Sequence, residues 1–503
     1  MIRRGWLSYG QDWALVLYYS GRVTIGFGLL MAIPMLVGIA QQDWYDACIF
    51  AFSGGVTVAI GYVLTFIAGR PNRPAQWIHG LVITAVAWLL AMLLGALPYE
   101  LSGYYLSYLD AIFDVMSGLT TTGLTLIQHA DRISDALNTW RFLVTYLGGQ
   151  GIVVMALTFF VNESGAFKIY VGEAKDERLL PNVRSTARAI WRISLLYLVV
   201  GSFILFISLV VWGFPPVRAI WNAIWMFMSA WSTGGFAPHS ENILYYHDPF
   251  FEFAATSIAI VGSLNFAFHY ALWQGRWREI RRDLEFVTFV ITVNVLWALV
   301  AVGLIHTGTY TGIVELVRMG WLNLVSAHTT TGFSNIYAVQ FPLEWGGLAF
   351  LAVVIAMLFG GSATSTAGGF KAIRIGTVFR AIQEDIRRLL MPESAVIKTH
   401  LHHVEDFILN DTRVRGAALI ILLYLATFGT GALVLTMYGY PLNQALFEAA
   451  SVTGNVGLSS GVTSATMAPL IKVMFIGMMW VGRLEFLSVF VFVTHVIRGV
   501  VRR

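Results

Sequence analysis

Apolar runs of about 20 residues or more recur from one end of this chain to the other, and nothing else in it constrains the fold as much. They lie near 13–40, 44–69, 78–99, 142–162, 192–213, 251–274, 287–306, 345–375, 416–438 and 468–497. A helix of about 20 apolar residues crosses the hydrocarbon of a bilayer. Backbone in lipid has no water to bond with, so only helices or closed barrels can span it. The runs are continuous rather than alternating, which excludes a barrel. Composition agrees: of 503 residues, 57% are hydrophobic and only 12% charged, with a mean hydropathy of +0.70. A soluble chain would carry about a quarter charged residues. The chain reads as an all-α, multi-pass membrane protein. Its single cysteine, Cys48, rules out an internal disulfide and a cysteine-built metal centre. No small-residue cleavage site follows the first run, so that run is expected to stay as a helix.

The net charge of +4 is explained by where the charges lie. Basic residues collect in alternate connections: Arg70 and Arg73; Lys168, Lys175, Arg178, Arg184 and Arg188; Arg276, Arg278, Arg281 and Arg282; and Lys371 through Arg388 to Lys398. By the positive-inside rule these connections and both termini are cytoplasmic, in a cytoplasmic (inner) membrane. That asymmetry argues against nucleic acid as a partner and leaves the lipid bilayer. Trp6, Trp13, Trp44 and Trp77, at the ends of runs, read as interface anchors.

Four segments between runs on the opposite side share one pattern. They are Met116-Ser-Gly-Leu-Thr-Thr-Thr-Gly123, Met228-Ser-Ala-Trp-Ser-Thr-Gly-Gly235, Val325-Ser-Ala-His-Thr-Thr-Thr-Gly332 and Ala450-Ser-Val-Thr-Gly-Asn-Val-Gly457. A serine stands six residues before each aligned glycine, and the glycines are 112, 97 and 125 residues apart. A second echo, Gly148-Gly149, Gly262-Ser263, Gly360-Gly361 and Gly482-Arg483, keeps nearly the same period, at 114, 98 and 122 residues. Two features in register argue for four copies of one unit: an outer helix, a short re-entrant pore helix, an extended small-residue stretch and an inner helix. The expected divisions are 1–75 for an accessory helix pair, then repeats at 76–165, 166–283, 284–400 and 401–503.

Non-helical backbone cannot face lipid, so four such stretches must line one wet centre. The short helices would aim their C-terminal ends, which carry partial negative charge, toward it. Glycine at the aligned position admits backbone angles that a Cβ disfavours. Carbonyls from four stretches then form a ring able to replace the hydration shell of a monovalent cation. The expectation is a selectivity filter around a pseudo-fourfold pore.

With these motifs, with "FGGSATSTAGGFKAIR" in the third inner helix and "GRLEF" in the fourth, the chain resembles the potassium-translocating membrane subunit of the Trk/Ktr/HKT superfamily, most closely the bacterial TrkH type. The resemblance covers essentially the whole chain. It implies K⁺ as the transported ion and filter carbonyls at Thr120, Thr121, Thr122 and Gly123; Ser232, Thr233, Gly234 and Gly235; Thr329, Thr330, Thr331 and Gly332; and Gly454, Asn455, Val456 and Gly457. Glycine at all four aligned positions implies K⁺ preference. The fourth motif lacks the threonine triplet, so an imperfect ring is expected. The resemblance also implies a homodimer and a cytoplasmic ring of nucleotide-binding TrkA-type subunits, with 168–192, 276–282 and 371–398 as docking surfaces.

Two candidates stand below the filter. Gly360, Gly361, Ser362, Ala363, Thr364, Ser365, Thr366, Ala367, Gly368 and Gly369, followed by Lys371, interrupt an apolar helix, and four glycines there are costly. The plain reading is close helix packing on small residues; the resemblance implies an intramembrane gating loop. Arg483, in mid-run, is expensive in lipid and calls for a pore or a partner. The resemblance makes it a barrier beneath the filter, and the structural alternative is an ion pair with Glu485, Asp114 or Glu448. Asp114 and Glu448 are themselves expected to anchor their pore helices through hydrogen bonds. The run Thr399-His400-Leu401-His402-His403-Val404-Glu405-Asp406 matches no common metal spacing and reads as a polar surface.

The function expected is K⁺ uptake through a gated, channel-like pore. The alternatives are a K⁺ symporter coupled to H⁺ or Na⁺, and a secondary transporter of another small solute, which would call for paired inverted repeats. An enzyme would need a nucleophile–base pair or a metal set at span depth, and none recurs. No bound cofactor is expected.

Overall fold

The computed structural model describes residues 9–71, 75–151, 183–392 and 399–501. Helices begin where the sequence supplies caps. Ser107, Ser134, Asp248, Asp283 and Asn410 each accept a hydrogen bond from a first-turn backbone N–H with their side chains, and Pro216, Pro249 and Pro469 stand in first turns.

Each repeat follows the expected order. Outer helices span Trp77–Gly95, Val183–Val211, Leu284–Thr307 and Asp411–Met437. Pore helices span Tyr108–Leu119, Pro216–Trp231, Leu322–His328 (entered through a π-helical turn, Leu316–Trp321) and Leu442–Gly454. Inner helices begin at Asp135, Pro249, Gly346 and Pro469. The accessory pair, Tyr9–Leu30 continued by Ala32–Ala40 and then Trp44–Ala68, packs through small residues. A Cβ on Gly21 or on Gly61 would lie 2.7 Å from the other's carbonyl oxygen, the close approach that membrane helices use in place of a hydrophobic drive. Outer-helix residues such as Val199, Phe203, Val302 and Leu422 are exposed and apolar, as a lipid-facing surface requires.

Among the described residues six helices are long and apolar enough to cross a membrane. The runs at 251–274 and 468–497 are not single helices. Pro249–Gly262 turns by 97° into Phe266–Trp273, and Pro469–Arg483 by 116° into the helix that follows. The third inner helix stops at Phe359 and resumes at Ala372. The first ends at Gln150, with Gly151 at φ +93°; the remainder of the run at 142–162 lies outside the described residues, as do the division at 165/166, Trp6, Arg73, Lys168, Lys175, Arg178 and Lys398. All four inner helices therefore break beside the second glycine echo. The reason is contact. A Cβ on Gly148, Gly262 or Gly482 would lie 1.9, 2.1 or 2.5 Å from the carbonyl oxygen of Leu119, Trp231 or Thr453, at the C-terminal end of the same repeat's pore helix.

Between the third and fourth repeats lies a two-stranded antiparallel hairpin, β1 His400–His403 and β2 Glu405–Ile408. The division expected at 400/401 falls within β1.

Candidate functional site: a four-part ring and the loop beneath it

The four pore helices end identically. The N–H groups of Thr122, Gly234, Thr331 and Val456 donate to the carbonyls of Ser117, Ser229, Ser326 and Ser451 at 2.7–2.8 Å. Those of Thr121, Thr233, Thr330 and Asn455 donate to Gly118, Ala230, Ala327 and Val452 at 3.0–3.3 Å. This is the Schellman closure of a helix, and it needs a left-handed residue at its pivot. The pivots are Thr121, Thr233, Thr330 and Asn455, at φ +56°, +51°, +54° and +56°. Asn suits that region; a β-branched threonine is strained there, and such strain is kept where the surroundings over-determine it.

Two residues on, the chain is left-handed again at Gly123, Gly235, Gly332 and Gly457, with φ from +67° to +98°. These glycines close a circle. A Cβ on Gly123 would lie 2.5 Å from Gly234 O, on Gly235 2.3 Å from Thr331 O, on Gly332 2.1 Å from Val456 O, and on Gly457 2.0 Å from Thr122 O. Each repeat packs on the next, and the fourth returns to the first. The sixteen candidate residues are thus brought to one axis. Thr120 and Thr122, and likewise Thr329 and Thr331, pair their hydroxyls at 2.8 Å behind the backbone. The fourth motif lacks such a pair, but Asn455 Nδ2 donates to Thr122 Oγ1 and to Met479 O, both at 3.0 Å.

The return from each glycine is tied to its pore helix. Asp114 accepts from Thr125 and from Leu126 N at 2.7 Å, Asn323 donates to Asn335 at 2.7 Å, and Glu448 accepts from Ser459 and from the backbone of Ser460 and Thr463. Asp114 and Glu448 anchor, as expected. Asn323, aligned with both, carries the same signal and was missed.

Directly beneath the ring sits the interruption of the third inner helix. It is an Ω-shaped loop whose neck is closed by Phe370 N to Leu358 O, Lys371 N to Phe359 O and Ala372 N to Gly361 O, at 2.9–3.1 Å. Gly360 and Gly369 meet at that neck, where a Cβ on Gly369 would lie 2.7 Å from the Cα of Gly360. The loop reaches all four pivots. Thr121 Oγ1 donates to Thr366 O at 3.4 Å, Thr233 Oγ1 to Thr366 Oγ1 at 3.3 Å, and Gly368 N to Thr330 Oγ1 at 2.7 Å. A Cβ on Gly368 would lie 3.0 Å from that of Asn455. Thr366 Oγ1 also donates to Gly262 O and Trp231 O at 2.8 and 3.0 Å.

Arg483 ends its helix at the same level. Its guanidinium donates to the carbonyls of Thr366 and Ala367 at 2.5 and 3.3 Å, and to those of Gly148 and Gly149 at 3.0 and 3.3 Å. It thus ties the loop to the first inner helix. Of the three acids weighed as its ion-pair partners, Glu485 pairs with Arg374, and Asp114 and Glu448 are held as described above. Lys371, left-handed at φ +71°, donates to Ala367 O from its ammonium group. Farther from the ring, Ser362 N donates to Ser263 O at 2.9 Å, Thr364 Oγ1 to Asn265 at 2.8 Å and Ala363 N to Glu285 at 2.5 Å. Asn265 and Glu285 were not singled out, because their relation to the loop exists only across repeats.

Known proteins share this architecture. The TrkH model, described as a cation transport protein, matches residues 49–497. The chain belongs to the TrkH family of cation transport proteins. It is similar to an uncharacterized cation transporter of Methanocaldococcus jannaschii, 29% identical over 95% of this chain and 94% of the relative. The potassium uptake protein TrkH of Salmonella typhimurium is 28% identical, covering 94% of this chain and 97% of the relative. The solved potassium transporter TrkH of Vibrio parahaemolyticus superimposes with a TM-score of 0.81 at 23% identity, covering 95% of this chain and 97% of that one, and so shows the same fold. These relatives are transporters, not enzymes. A membership that spans nearly the whole chain fits a membrane protein with re-entrant helices.

Proposed function

We propose that this chain carries K⁺ inward across a cytoplasmic membrane through a gated, channel-like pore. One observation carries the reading: four glycine-ended stretches pack head to tail around one axis, above a loop bonded to three of their pivots. Backbone left-handed at alternate positions turns successive carbonyls to one side instead of alternating them as a strand does, which suits dehydration of a monovalent cation. The loop 360–369 with Lys371 is the gate, and Arg483 is its latch and a fixed positive charge below the filter. The basic connections and both termini face the cytoplasm. A homodimer and a TrkA-type nucleotide-binding ring on the basic face complete the assembly.

Such a pathway needs no coupling ion to accumulate K⁺. Inward movement of one charge gains about 2.3 kcal/mol per 100 mV, which sustains a gradient of roughly forty-fold. The test is ⁸⁶Rb⁺ uptake into liposomes holding the purified protein, driven by an imposed inside-negative potential at equal pH and Na⁺. Uptake that scales with voltage and competes with K⁺ better than with Na⁺ is expected. Uptake that appears only with a proton or sodium gradient would replace the channel with a symporter.

A further inference from the structure

Three contacts run in series between the basic face and the loop. At the far end is the hairpin β1–β2, whose single turn residue, Val404, is left-handed at φ +56°, an unfavourable state for a β-branched side chain. Asp283 holds that turn. One of its carboxylate oxygens accepts Val404 N–H at 3.0 Å, and His403 Nδ1 lies 3.1 and 3.2 Å from the two oxygens. The same carboxylate caps the third outer helix, accepting from Glu285 N at 2.8 Å and Phe286 N at 3.3 Å. Glu285, buried in that first turn, then takes Ala363 N–H of the pore loop at 2.5 Å. The hairpin also lies downstream of the loop through the helix Ala372–Leu390. One short turn, Asp283–Glu285, therefore touches both the surface hairpin and the plug.

We infer that Glu285 is the positioning residue of the pore loop, and that the β1–β2 hairpin sets Glu285 by docking on Asp283, so that undocking the hairpin releases the loop. This rests on the reading of 360–369 as the gate. The geometry supports a lever because the parts are unequal in stiffness. The loop is closed at its neck by three backbone bonds, so a displacement at Ala363 is passed to its bonds with the pivots and with Arg483. The hairpin is two four-residue strands, too small to hold a strained turn unaided. A ligand or partner that gripped the hairpin in its undocked form would shift the loop without touching the pore.

The experiment reads the loop and the flux separately. In the full chain carrying Cys48→Ser and Ser365→Cys, modification by a small cationic thiol reagent reports exposure of the loop, while ⁸⁶Rb⁺ uptake reports the pore. Removing a hydrogen bond to a charged acceptor shifts a two-state equilibrium by about tenfold. Glu285→Ala and His403→Ala are each expected to raise the modification rate and the uptake by that order. Glu285→Gln, which keeps an acceptor for Ala363 N–H, should return both toward the parent. His403→Ala leaves the helix cap of Asp283 in place, so it keeps the test valid if Glu285→Ala does not fold. Unchanged modification in folded His403→Ala would overturn the inference. Faster modification without faster uptake would leave the coupling standing and remove the loop from the gate.

Discussion

At the residue scale the ring depends on two kinds of left-handed position that the sequence signals unequally. The glycines were legible, because only glycine combines positive φ with no Cβ against a neighbour's carbonyl. Gly332→Ala would set a methyl 2.1 Å from Val456 O. It should lower K⁺-competed ⁸⁶Rb⁺ uptake by roughly tenfold or more, since one distorted quadrant misplaces several carbonyls. The threonine pivots were not legible. A helix closure is ordinarily announced by Gly or Asn, and only Asn455 follows that rule. Thr121, Thr233 and Thr330 break it, and their hydroxyls explain why: each bonds to the loop. Thr330→Gly should relieve about 1 kcal/mol of backbone strain while deleting the acceptor for Gly368 N. The stranded buried N–H costs about 1–3 kcal/mol, so the expected outcome is a melting temperature at or slightly below the parent's together with faster resting uptake. Thr330→Ser, which keeps the hydroxyl, should match the parent in flux.

At the element scale, hydropathy located the helices but not their breaks. Val261-Gly-Ser-Leu-Asn265 and Val481-Gly-Arg-Leu-Glu485 sit inside apolar runs, and composition alone does not separate a span from two helices meeting at 97° or 116°. The sign was in the glycine echo, whose register with the ring marks the level at which three inner helices meet a pore-helix end and the third meets the loop. Side-chain anchors hold the opposite end of each filter stretch. Glu448→Ala would strand the backbone N–H groups of Ser460 and Thr463, at about 1–3 kcal/mol for each buried group left unmade. Thermal unfolding in detergent should fall by several degrees, with Glu448→Gln intermediate. An unchanged melting temperature would mean that water replaces the carboxylate.

At the scale of the whole molecule the four seams are closed differently. Lys472 of the fourth repeat pairs with Asp110 of the first at 2.5 Å, both buried. Arg318 of the third pairs with Glu252 of the second at 2.7 Å. Arg141 of the first reaches Ala237 O of the second at 3.5 Å and lies over the Phe236 ring. The seam between the third and fourth repeats is aromatic, with Phe447 against Phe341 and Phe350. Breaking a buried pair from one side leaves a lone charge and costs about 3–5 kcal/mol, whereas replacing both partners by apolar groups is close to neutral. Lys472→Met alone should therefore yield little folded protein, and Lys472→Met with Asp110→Leu should recover it, as size-exclusion profiles would show. These pairings were not legible because their members lie from 66 to 362 positions apart, in segments that only the closing of the ring brings together.

That closure from a single polypeptide has a consequence for how such a pathway can be tuned. In a pore assembled from identical subunits, any altered codon is imposed on every side at once. Here each quadrant is written separately, so Asn455 and Val456 can stand between the threonine triplets of the first and third repeats without requiring the same change elsewhere, and adjustment proceeds a quarter at a time.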